Sequence, residues 1–188
     1  MKTNKIWKKT ILIFTITGLI AGGGATAFFW KDNIPKKPSE WNAYSSKDQR
    51  FDVQFPADPQ ESSEQMVVAN TKIQYNELRT QTKDSVYAVS YIDFPGHWKW
   101  LGTKKLLSKS FESFIESQDQ VEEVIEQQIS THHGMPALEY RLRQAGKEIK
   151  GKFIIAGNTL YRIAITYPLA MVETTQAEPF FNSFQIKG

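Results

Sequence analysis

The chain has 188 residues, with 23 basic against 20 acidic side chains, 40% hydrophobic residues and no cysteine. The missing thiols exclude disulfide staples, thiolate catalysis and Cys-ligated metals, so a folded domain must hold on its core alone. Lys2, Lys5, Lys8 and Lys9 supply four of the positive charges, and the remaining 19 basic against 20 acidic residues leave −1, a balance that does not favour the basic face nucleic-acid binding needs.

Those four lysines precede an uncharged run over 10–30, rich in Ile, Leu, Phe, Gly and Ala. Two readings fit it. A signal peptide would combine the basic start, an apolar core over 11–20 and the small-residue end Ala25-Thr26-Ala27, with cleavage after Ala27. An uncleaved anchor would use residues 11–30, because a helix of about 20 residues spans a ~30 Å hydrocarbon layer. Phe28, Phe29 and Trp30 would then form an aromatic belt at the far interface. Either reading leaves the lysines in the cytoplasm and the rest of the chain in the cell envelope or outside it. The expected organisation is therefore an anchor or signal over 1–30, a Pro-containing linker over 31–40, and one domain over 41–188.

From Trp41 the pattern becomes strand-like. Phe51, Val53 and Phe55 alternate with Asp52 and Gln54, and Pro56 and Pro59 end that strand. "EQMVVAN" and "KIQYNELRT" read as a hairpin around Asn70-Thr71, followed by the strand "SVYAVSYIDF". Leu106, Leu107, Phe111, Phe114 and Ile115 then recur at helical spacing, with Thr103 as the expected N-cap. Four more strands follow, "VIEQQIST", "MPALEYRLR", "EIKGKFIIA" and "TLYRIAITY", with Gly134, Gly146 and Gly157-Asn158 at the turns. Pro179 marks the start of a short C-terminal helix whose apolar side is Phe180, Phe181 and Phe184. Short turns between successive strands imply antiparallel pairing. The expected fold class is α+β, an antiparallel sheet flanked by one long helix and one short C-terminal helix.

Few residues nominate chemistry. His132 and His133 are adjacent, so on an extended strand they face apart and cannot chelate one ion; they read as polar residues entering a Gly-Pro turn. "GKEIKGKF" over 146–153 matches a phosphate loop until its last position, where Phe153 replaces the Ser or Thr that would hold Mg²⁺. Glu122, Glu123 and Glu126 read as a solvated face. No catalytic residue, cofactor or metal ligand is nominated. The stretch with interaction character is "FPGHWKW", where His97, Trp98 and Trp100 could meet a partner, although two tryptophans before a helix also suit a hydrophobic staple.

"RFDVQFPADP", "HGMPALEYRL", "NTLYRIAITYP" and "FFNSFQI", in that order, resemble the PsbP-like fold family over about 41–188. That family takes its name from an extrinsic protein of the photosynthetic oxygen-evolving complex, and it includes exported bacterial domains of unknown function and envelope lipoproteins related to DcrB. The resemblance implies an α/β/α sandwich used for binding and assembly, with Pro136 stiffening a turn and Phe181 and Phe184 capping the core. It carries no catalytic residues, and this chain has no cysteine to lipidate. The leading expectation is a non-enzymatic, membrane-anchored envelope protein that binds a partner protein. A second is a small-molecule or lipid binder with an enclosed apolar cavity between sheet and helix, and a third is a hydrolase with an unrecognised site.

Overall fold

The computed structural model describes residues 37–68, 71–118, 120–171 and 177–187. The anchor or signal over 1–30 lies outside them, as does most of the linker, whose last residues Pro38–Glu40 form a 3-10 turn. Among the described residues no helix is long and apolar enough to cross a membrane.

Alternation sets most of the strands. β1 (Asn42–Ser45) pairs antiparallel with β2 (Phe51–Phe55), which buries Phe51, Val53 and Phe55. β3 (Gln60–Val68), β4 (Thr71–Gln81) and β5 (Val86–Asp93) form an antiparallel meander. The helical period gives α1 (Thr103–Ser117), whose buried side carries Leu106, Leu107, Phe111 and Phe114. Then come β6 (Val121–His132), β7 (Met135–Gln144), β8 (Lys147–Ala156) and β9 (Thr159–Pro168), a second antiparallel meander. α2 (Ala177–Ser183) and the two-residue β10 (Gln185–Ile186) end the chain. β9 pairs antiparallel with β5, so the two meanders merge into one seven-stranded sheet in the order β3-β4-β5-β9-β8-β7-β6.

Turn chemistry explains the registers. His133-Gly134 and Ala145-Gly146 occupy two-residue turns with both φ values positive, the twist that matches a tight hairpin. At Gly157-Asn158 only the glycine is left-handed, the companion form of the same turn.

The large sheet has two unlike faces. On one, a three-stranded sheet, β1-β2-β10, packs with α2 against Tyr87, Val89, Tyr161, Ile163 and Ile165. Phe51, Phe55, Phe180, Phe181 and Phe184 are fully buried there, each contributing about 1.5–3 kcal/mol by burial. Arg50 ties the layers at the edge by donating to Asp93, which also accepts from Thr159. On the other face, α1 lies over β7 and β8, and Phe111 and Phe114 pack on Tyr140 and Phe153.

Several expectations need correction. The sandwich holds a second, small sheet on the α2 side as well as the helix. Thr103 is the first helical residue, not the cap: Gly102 takes that position at φ 78°, with no side-chain cap bond. α2 begins two residues before Pro179, which is harmless because first-turn amides have no helical acceptor. Pro136 lies on β7 opposite Thr131, outside the turn and beyond the last β7–β8 pair, so no ladder bond needs its missing N–H.

Candidate functional site

Two places on the α1 face present unusual side chains. The first is the corner that leads into α1. Gly96–Leu101 form a 3-10 helix after Pro95. Trp98 is buried and stacks parallel to Phe94, with centroids 6.4 Å apart, joining the core of Ile92, Leu106 and Leu160. Trp100, two residues on, is 78% exposed. His97 is exposed, its ring edge-on to Trp98 at 6.3 Å. The "FPGHWKW" stretch therefore divides: Trp98 staples the helix start to the sheet, while Trp100 and His97 face solvent.

The second place was not foreseen. α1 covers only part of its face, and beyond Phe114 and Gln118 the floor formed by β4, β5 and β9 lies open as a groove of about 340 Å³. Period-two alternation sends Glu77, Arg79 and Gln81 from β4 into it, with Val86 and Ala88 from β5 and Arg162, Ala164 and Thr166 from β9. Lys83, Asp84 and Lys147 stand at its rim. Between sheet and helix, the place of the expected enclosed apolar cavity, the interior beside Phe114 is nearly filled. Around Tyr75, Ser90, Phe153 and Leu160 there is room only for about 10 Å³, because aromatic rings fill that interior.

Arg162 is the central charge of the groove. It is half-buried, its Nε donates to Tyr140 Oη at 2.7 Å, and its guanidinium lies 4.4 Å from the Phe114 ring centre. Tyr140 is almost completely buried, and burial raises its pKa, so it stays a neutral phenol. Its ring can reach Arg162 only because residue 151 is glycine. A Cβ there would come within 2.5 Å of Tyr140 Oη and 2.9 Å of the Ile163 carbonyl oxygen. Gly151, which completes the G-x-x-x-x-G-K match, thus sits in mid-strand on β8 as the seat of Tyr140, and the strand rules out a phosphate loop.

Across the groove, Tyr75 Oη donates to Glu77 at 2.6 Å. Among the described residues, Arg79, Lys83 and Lys147 make no ion pair, and Arg162 has no carboxylate within pairing distance. Elsewhere several basic side chains pair, Arg50 with Asp93, Arg143 with Glu123, Lys150 with Glu178, Lys152 with Glu139 and Lys187 with Asp52, while exposed lysines such as Lys72, Lys104 and Lys105 do not among the described residues.

The histidines lie apart from both places. His132 is buried, and its Nε2 donates to the Phe184 carbonyl at 2.9 Å, which fixes the neutral ring in one tautomer. His133 is exposed, but the two rings approach to 4.4 Å instead of facing apart, because His133 has left the extended strand for the turn at φ 47°. No group of three or more His, Asp or Glu side chains suited to a metal occurs among the described residues. Glu123 and Glu126 lie on exposed β6 opposite Arg143 and Arg141, and Glu122 caps the Gly146 amide, as a solvated face would. Legible signal for the groove was slight. The alternation of Glu77, Arg79 and Gln81 after Ile73 and Tyr75 marks a strand leaving a covered zone, but nothing local shows where the helix stops.

An antiparallel seven-stranded sheet with a long helix on one face and a small sheet with a short helix on the other defines an α+β sandwich of the PsbP type. The solution structure of cyanobacterial PsbP (CyanoP) from Synechocystis sp. PCC 6803 is similar to it at TM-score 0.55 and 15% identity, across 89% of this chain and 99% of that one. That likeness shows the fold alone. A Pseudomonas aeruginosa protein of unknown function, PA94, aligns at TM-score 0.41 and 10% identity over 71% of this chain and 87% of its own. No family model and no curated protein matches the sequence.

Proposed function

We propose that the chain is a non-catalytic accessory protein of the cell envelope, of the exported, DcrB-related kind, whose domain docks a partner protein through the corner around Trp100. One observation carries this reading: Trp100 stands 78% exposed on a 3-10 turn immobilised by its buried neighbour Trp98. A large aromatic held on a rigid base loses little entropy on binding, the usual profile of an interface anchor. His97 and Lys99 extend the same exposed surface. The uncharged run over 10–30 supports export and tethering, and Trp41 supports a short tether: it packs edge-on against Tyr87 at 5.4 Å, so the chain enters the domain close to the sheet.

The test is site-specific photo-crosslinking of the full chain in its own membranes, with the reactive residue at position 100 or at exposed Lys72 on β4. A discrete adduct from position 100 that Lys72 does not give, and that His97→Ala weakens, is the expected result. Equal labelling from both positions, or none from position 100, would sink the reading.

A further inference from the structure

We propose that the groove beyond the end of α1 binds an organic monocarboxylate, with Arg162 gripping the carboxylate and the floor of Val86, Ala88, Ala164 and Ile149 receiving the apolar body. A half-buried guanidinium ordinarily acquires a carboxylate, because partial desolvation leaves its charge uncompensated. Arg162 instead spends Nε on a neutral phenol and one face on Phe114. Those two contacts fix the plane of the group and leave the terminal Nη nitrogens as a fork, the geometry that carboxylates accept in pairs.

The surroundings narrow the ligand. A volume of about 340 Å³ lies at the small end of the range that encloses small molecules. Small side chains, Ala88 and Ala164, keep the floor low beside Arg162, and Val86 and Ile149 make it apolar. Arg79, Lys83 and Lys147 add three cations without ion pairs among the described residues, so the site draws in an anion. Glu77 and Asp84 share the lining and offset part of that positive charge. An organic carboxylate therefore suits the site better than inorganic phosphate, which would leave the floor of Val86, Ala88, Ala164 and Ile149 unfilled. The groove shares no residue with the Trp100 corner, so this inference stands or falls independently of that docking surface.

The experiment titrates the full chain, in nanodiscs of zwitterionic lipid, with 4-fluorophenylacetate followed by fluorine NMR, and with hexanoate as a second probe. Saturable binding is expected, weakened about tenfold by Arg162→Lys, which keeps the charge and loses the fork. Arg79→Ala should weaken it a few-fold, Trp100→Ala should leave it unchanged, and equimolar inorganic phosphate should not compete. If Arg162→Lys fails to fold, judged by its circular dichroism, Arg79→Ala and Lys147→Ala at the rim decide in its place. Three results would overturn the proposal: neither probe binding saturably, binding indifferent to these substitutions, or phosphate displacing the probe as well as a carboxylate does.

Discussion

The two faces of the large sheet solve the same problem differently. One is sealed by β1, β2, β10 and α2, whose phenylalanines interlock with Tyr87, Tyr161 and Ile163. Phe55 and Phe180 lie 5.5 Å apart, and Tyr87 meets Phe180 edge-on at 5.2 Å. The opposite face is packed as densely under α1, then gives way to a charged groove where the helix stops. Both regions use the same alternating strands, so strand pattern does not separate them. What differs is the reach of the covering element: α1 has only fifteen residues and lies over β7 and β8. Both faces carry a large buried core, and the uncovered half of the second is free to carry charge.

The largest effect expected is a direct contrast between these regions. Phe180→Ala should destabilise the domain by about 3–5 kcal/mol, through lost burial and the cavity left behind. Val86→Ala, in the groove, should cost less than about 1 kcal/mol because its side chain is only half-buried. Equilibrium urea unfolding of both variants checks this, and similar losses would break the contrast. Next in size is Gly151→Ala. The Ile163 carbonyl cannot yield as a flexible side chain would, so overpacking of about 1–3 kcal/mol is expected, with Tyr140 pushed towards Arg162. A thermal midpoint equal to that of the parent would show that the seat has slack.

The smallest effect depends on pH and belongs to the sealed face. Burial pulls the His132 imidazole below its ordinary pKa; the bond to the Phe184 carbonyl opposes this, and His133 and Lys152 add to it. The folded state therefore favours neutral His132, and on acidification the unfolded chain takes up the proton first. Its contribution is complete above about pH 6.5 and is lost as the pH falls from there through the folded-state value. Unfolding at pH 7.5 and 5.5 should show a loss that His132→Gln abolishes. An equal loss in that variant would assign the acid sensitivity elsewhere.

Much of this fold could be read from local pattern. The glycine-bearing turns, the alternation in Phe51–Phe55 and the spacing of Leu107, Phe111 and Phe114 each act within a few residues, and each appears where expected. The small sheet could not be read in that way. β1 is mostly exposed, with no apolar alternation, and β10 is two residues long. Both exist because β2 offers an edge on each side: β1 is its neighbour in the chain, whereas β10 reaches it from the far end of the domain. The site divides along the same line. Trp98 and Trp100 stood out by residue type, although type alone could not tell the buried ring from the exposed one. Arg162 did not stand out, since its character comes from Tyr140, Phe114 and Gly151, drawn from three other elements.

β10 also governs the order of assembly. Gln185 and Ile186 pair with Asp52 and Phe51, and the Lys187 amide donates to the Arg50 carbonyl, so the last residues of the domain close onto its beginning. The β6–β9 meander needs only short loops and can form early, whereas this final ladder spans well over a hundred residues. During synthesis the sealed face stays unfinished until Phe184 and β10 have been released, although most of the large sheet has already been made. Completion of that face is thus timed by β10, the element that joins it last.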